Sequence, residues 1–135
     1  MSVTSLARAK QQYLEQQVGS ASPAQLVTML YDRLLVDIDR AAAAQDAGDA
    51  ASAGSHLTHA QAIVAELNGS LTDVWDGAAD LRSVYTYLTS RLITANITRD
   101  RAATAECRDL VAPLREAWHA AAAQAQASVP SSALA

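Results

Sequence analysis

The sequence predicts an all-α protein, an antiparallel up-down-up-down bundle of four helices, and three features carry that expectation. Alanine makes up about a quarter of the chain, phenylalanine is absent, and there are 5 glycines and 3 prolines, a mix that favours helix over strand. Apolar residues recur at helical spacing in four separate stretches. Short turns join those stretches, and helices of about 20 residues so joined most simply pack as antiparallel neighbours. At 135 residues the chain has the size of one domain with one core.

Residues 1–21 are small and polar, with Leu6, Tyr13, Leu14 and Val18 as apolar anchors, too few for a core element. They read as a mobile N-terminal arm, and residues 22–126 as the bundle. Ser22-Pro23-Ala24-Gln25 starts the first helix: Ser22 can cap backbone amides, Pro23 suits the first helical position, and Gln25 can complete a capping box. This helix should run to about Ala47. Leu26, Val27, Leu30, Tyr31, Leu34, Ile38, Ala41 and Ala42 cover an arc of about 160°, which predicts burial on more than one side. Met29 and Val36, i and i+7, fall on the opposite face among Gln25, Asp32, Arg33 and Arg40.

The second helix, about Ala50 to Asn68, aligns Leu57, Ala60, Ile63, Val64 and Leu67, and Asn68-Gly69 offers a left-handed C-cap. After a loop to Gly77, a third helix places Leu81, Val84, Tyr85, Leu88, Leu92 and Ala95 within about 100°. Ile93 and Ile97, i and i+4, lie outside that arc as a second, smaller apolar strip. The fourth helix, about Ala102 to Gln126, aligns Ala103, Cys107, Leu110, Val111, Leu114, Ala117, Trp118 and Ala121. Pro113 inside it predicts a kink between Asp109 and Pro113. Residues 127–135 read as a disordered tail.

Composition excludes several classes of function. No window reaches the roughly 18 uncharged apolar residues of a membrane span, and the first ten residues lack the apolar run of a secretory signal, so the expected address is cytoplasmic. The lone cysteine, Cys107, has no partner for an internal disulfide. The net charge is −4 and the 10 basic residues are dispersed, which argues against nucleic acid as a partner.

Enzyme chemistry finds little support. Glu116-Ala117-Trp118-His119 matches one Glu-x-x-His pair of a di-iron bundle, but none of the other three glutamates has a histidine three residues on, and helical phase turns Glu116 and His119 away from the Leu114 and Trp118 face. His56 could carry a phosphoryl group in a histidine phosphotransfer bundle. His56-Leu57-Thr58-His59-Ala60 lacks the lysine and glycine of that motif, and a partly buried structural histidine is the better reading. Cys107 sits in an apolar stripe with no histidine at short range. No cofactor or metal is called for.

Ser22-Pro23-Ala24-Gln25-Leu26-Val27-Thr28-Met29-Leu30-Tyr31-Asp32 resembles the signature of the flagellin-specific export chaperones, the FliS family. Tyr13 with Gln17 and Val18 resembles that family's N-terminal tyrosine segment, and Glu66-Leu67 with Ser70-Leu71 the end of its second helix. Leu81, Val84-Tyr85, Tyr87, Arg91-Leu92 and Ala95-Asn96 fit its third helix, and Leu114-Arg115-Glu116-Ala117-Trp118 its C-terminal tryptophan motif. Two departures stand out: Trp75-Asp76-Gly77-Ala78 keeps one glycine where the family often has a pair, and Pro113 is not part of the pattern.

The resemblance implies a cytoplasmic, non-enzymatic bundle that binds the C-terminal segment of flagellin, delays its polymerisation and aids delivery to the flagellar export apparatus. A homodimer is left open, as is a helix-binding adaptor for another partner. Met29, Val36, Ile93 and Ile97 are the apolar residues expected outside the core and hence candidates for the contact surface. The resemblance adds Tyr13, Tyr87 and Asn96, and implies that the arm around Tyr13 covers an apolar groove until the partner displaces it.

Overall fold

The computed structural model describes residues 23–72 and 76–127. The expected arm over residues 1–21, the Ser22 cap and the tail beyond Ala127 lie outside the described residues. Among the described residues the regular structure is helical throughout: α1 Pro23–Asp46, α2 Ala50–Gly69, α3 Ala78–Ile97 and α4 Arg101–Ala127. α1 packs on α2 and α4, and α3 packs on the same two helices, so α1 and α3 stand at diagonal corners of a four-cornered bundle.

Cross-helix pairs fix the antiparallel sense. Gly54 lies against Asn96 while Leu71 O accepts from Arg82, so α2 and α3 run in opposite directions. α1 and α4 are joined by a ladder: Asp32 to Arg115 (2.7 Å), Asp39 to Arg108 (2.8 Å) and Asp46 to Arg101 (2.9 Å). The aspartates and the arginines each repeat every seven residues, and one series descends as the other rises. The ladder's side chains are between 32% and 62% exposed, so each pair contributes under about 1 kcal/mol. Their effect is to fix register, because a slip of one turn would break all three together.

The centre holds Tyr31, Leu34 and Ile38 from α1, Leu57, Val64 and Leu67 from α2, Tyr85, Leu88 and Leu92 from α3, and Cys107 and Val111 from α4, all at most 2% exposed. The arc read as inward on α4 is shifted: Ala117 and Ala121 are exposed, and Thr104 and Ala122 are buried instead. α4 meets α1 along its Arg101, Arg108 and Arg115 flank, which draws Thr104 and Val111 beneath that ladder. α4 continues without interruption through Pro113, an exposed position where the carbonyl of Asp109, deprived of its helical donor, can be hydrated.

The turns are built differently from the sequence expectation at one point. Gly69 is not a left-handed cap; the helix ends on Ser70 (φ −85°), whose N–H and hydroxyl both return to Leu67 O. The left-handed glycine is Gly48 (φ 73°) in the α1–α2 turn, where Asp49 then caps α2 by accepting from the Ser52 amide at 3.0 Å.

Tyr31 and Tyr85 join hydroxyls at 2.5 Å across the diagonal of the core, and Tyr31 stacks on Trp118 with centroids 6.3 Å apart. Burial, reinforced by the Tyr31 hydroxyl, pushes the Tyr85 phenol well above its ordinary value. The unfolded chain therefore releases this proton near pH 10 while the folded chain keeps it. The corresponding stability is fully present below about pH 10 and is lost as pH rises toward the folded value. Urea midpoints are expected to fall above about pH 10, and to fall less steeply in Tyr85→Phe. Equal slopes for the two proteins would disprove this role.

Candidate partner-binding surface

The exposed large apolar side chains among the described residues are Met29, Val36, Tyr87, Ile93 and Ile97. All five were expected at the contact surface, and they are 57%, 39%, 48%, 39% and 75% exposed. They do not form one patch. On α1, Asp37 turns toward α2 and Asp32, Asp39 and Asp46 turn toward α4; Met29 and Val36 lie between these flanks and face solvent. On α3, Tyr87 and Arg91 face α4, both bonded to Glu106, the Arg91 Nε at 2.6 Å. Asn96 faces α2, where a Cβ on Gly54 would come within 3.2 Å of its Oδ1. Ile93 and Ile97 border that α2-facing flank. The Met29 and Val36 pair is thus on the opposite side of the bundle from Ile93 and Ile97. Tyr13 lies outside the described residues.

The two apolar strips differ in charge. Along α1 the series is Met29, Arg33, Val36, Arg40, an alternation of apolar and cationic side chains. Along α3 the same i, i+4, i+7, i+11 spacing gives Thr86, Ser90, Ile93 and Ile97, all exposed and none charged. The facing flank of α2, read from Gly54 in the same steps, is Thr58, Gln61 and Ala65. Most charged contacts of these helices look elsewhere, Arg91 to α4 and His56 and His59 to Asp37 of α1, while Arg82 closes the far end of the seam by donating to Leu71 O. Between Arg82 and Arg99 the α2–α3 seam is therefore an uncharged strip ending in two isoleucines, a surface that loses little hydration energy when a helix covers it.

Several titratable groups outside the seam make contacts between or along the helices. Asp37 is fully buried, bonded to His59, 3.4 Å from Arg33 Nε and 3.9 Å from His56 Nδ1. His56, expected to be partly buried, is 27% exposed and lies beside this carboxylate. His119 does not simply point outward: its Nε2 sits 2.6 Å from Asp32 Oδ1, bridging α4 to α1, while Glu116 pairs with Arg115. Among the described residues no group of His, Cys, Asp and Glu is arranged to hold a metal ion. Burial pushes the Cys107 thiol up to about 12, far from a reactive thiolate. No helix of the described residues is long and apolar enough to cross a membrane.

Asn96 also lines a cavity of about 150 Å³ at the end of the seam, together with Gln45, Ala53, Leu57, Ala95 and Arg99. Sequence reading did not single out Gln45, Gly54 or Arg99. The available signal was Gly54, a glycine inside a helix where it costs about 1 kcal/mol relative to alanine and so suggests a close approach.

Comparison with known proteins places these features in a family. The family model described as "Flagellar protein FliS" matches residues 6–125. The chain is 35% identical to the flagellar secretion chaperone FliS of Bacillus subtilis over 106 residues, covering 78% of this chain and 80% of that one. It is 34% identical to the protein of the same name from Salmonella typhimurium over 108 residues, with the same coverage of 78% and 80%. The Escherichia coli protein of that name is 32% identical over 110 residues, 78% of this chain and 79% of its own. Among solved structures, a flagellar chaperone from bacteria superposes with a TM-score of 0.70 at 16% identity, covering 87% of this chain and 98% of that chain, which supports the helical fold.

Proposed function

The chain belongs to the FliS family of flagellar proteins, a family of chaperones rather than enzymes, and from that footing we propose that it binds the C-terminal segment of flagellin in the cytoplasm. Holding that segment prevents premature polymerisation and presents the subunit to the flagellar type III secretion apparatus. The observation that carries the reading is the α2–α3 seam, where Ile93 and Ile97 stand exposed on an uncharged strip. A segment that is unstructured when free gains its order there, and the contact energy of the strip offsets part of that ordering entropy. Neither nucleotide nor metal takes part, since capture and release follow from mass action on one surface.

Co-expression with the flagellin of the same organism tests the reading. Full-length flagellin is expected to be retained with the tagged protein, and flagellin lacking its C-terminal helices is expected to be lost. Equal retention of both would place the contact elsewhere on flagellin, and retention of neither would reject flagellin as the partner.

A further inference from the structure

We propose that the cavity at the end of the α2–α3 seam receives the last residue of the bound segment, with Arg99 taking its terminal carboxylate; the inference rests on the function proposed above. Three polar groups around the cavity have unused capacity. Gln45 donates its Nε2 to Ala95 O at 3.3 Å, and its Oε1 has no donor. The Asn96 side chain makes no hydrogen bond among the described residues, and Arg99 makes no ion pair among them. By contrast, Arg91, Arg101, Arg108 and Arg115 are all paired with carboxylates. Arg99 is also held in the left-handed region at φ 54°, an uncommon conformation for a residue with a side chain.

The walls supply the complementary requirement. Ala53, Leu57 and Ala95 are at most 4% exposed and present an apolar lining. A volume of about 150 Å³ admits a group the size of a benzene ring, hence one side chain. The occupant must therefore combine one apolar side chain, an N–H for Gln45 Oε1 and an anionic group for Arg99. The final residue of a peptide carries all three, whereas an internal residue with an apolar side chain has no carboxylate. A segment lying along Thr86, Ser90, Ile93 and Ile97 and ending in this cavity runs parallel to α3. Gly54 contributes by leaving room for Asn96 at the rim, since a Cβ there would press on its Oδ1 at 3.2 Å.

The test is titration calorimetry of the full chain with the C-terminal segment of the flagellin from the same organism, made as the free acid, as the C-terminal amide, and as the free acid extended by Gly-Ser-Gly. Amidation and extension should each weaken binding about tenfold, the scale of a charge-assisted hydrogen bond discounted for its exposure. In Arg99→Met, acid and amide should bind alike, and in the natural protein only the unextended acid should shift the side-chain amide resonances of Gln45 and Asn96. Equal, tight binding of acid and amide by the natural protein would overturn the carboxylate site while leaving flagellin capture intact. Failure of every segment to bind would remove both. Free amino acids that moved the Gln45 and Asn96 signals as strongly as the peptide would assign the cavity to a small metabolite and overturn the proposal.

Discussion

Leu88→Ala is expected to lower the free energy of unfolding by about 3 kcal/mol, within the range for emptying a closed leucine site. Leu88 is fully buried near the middle of α3. Its surroundings come from the whole core, since α3 meets α2 and α4 directly and reaches α1 through the Tyr31–Tyr85 diagonal. Helices tied on two flanks and across the diagonal cannot easily collapse into a void, so the cavity term should persist. A loss of this size is a large share of the roughly 5–15 kcal/mol that holds a typical domain. Ile93→Ala, in the same helix but 39% exposed, should lose under about 1 kcal/mol. Urea unfolding followed by far-ultraviolet circular dichroism measures both. A Leu88→Ala loss below about 1 kcal/mol, or an equal loss in Ile93→Ala, would contradict the assignment of core and surface.

Periodicity was enough to read the four helices and most of their inward faces, because helical phase is local information. Leu34, Ile38, Leu57, Val64, Leu88 and Leu92 are all inward in the sequence pattern and all at most 1% exposed. Phase does not say which neighbour stands on which flank. For that reason Met29 and Val36 could be recognised as exposed, yet their position diagonally opposite Ile93 and Ile97 follows from helix adjacency, which the pattern does not contain. The seven-residue spacing of Asp32, Asp39 and Asp46 and of Arg101, Arg108 and Arg115 is present in the sequence but has no meaning there until the antiparallel register pairs the two series. Asp37 was hidden for a different reason. A carboxylate in a buried position contradicts the usual distribution of charge, and only the juxtaposition of His59 and Arg33 explains how it is tolerated.

Ile93→Asp is expected to weaken binding of the flagellin C-terminal segment by about 2 kcal/mol or more, the scale of an interface hot spot. In the free protein the new carboxylate stays hydrated, because the site is 39% exposed, so the fold should be preserved. In the complex it would be covered by an apolar helix face, with no basic side chain near enough to pair with it: Arg91 is held by Glu106, Arg82 lies three turns away at Leu71 O, and Arg99 lies beyond Ile97 at the cavity. An unpaired charge removed from water is strongly disfavoured, which is why the loss should exceed that of Ile93→Ala. Met29→Asp tests the other strip under different electrostatics, since Arg33 lies one turn away along α1. Its loss should be smaller, and a short helix seated on the α2–α3 seam would leave it unaffected. Comparable losses at both positions would mean that the segment continues around the bundle, since α1 and α3 occupy diagonal corners. Calorimetry on variants shown by circular dichroism to be folded distinguishes these outcomes, and unchanged affinity in both would place the contact away from Met29, Val36, Ile93 and Ile97 altogether.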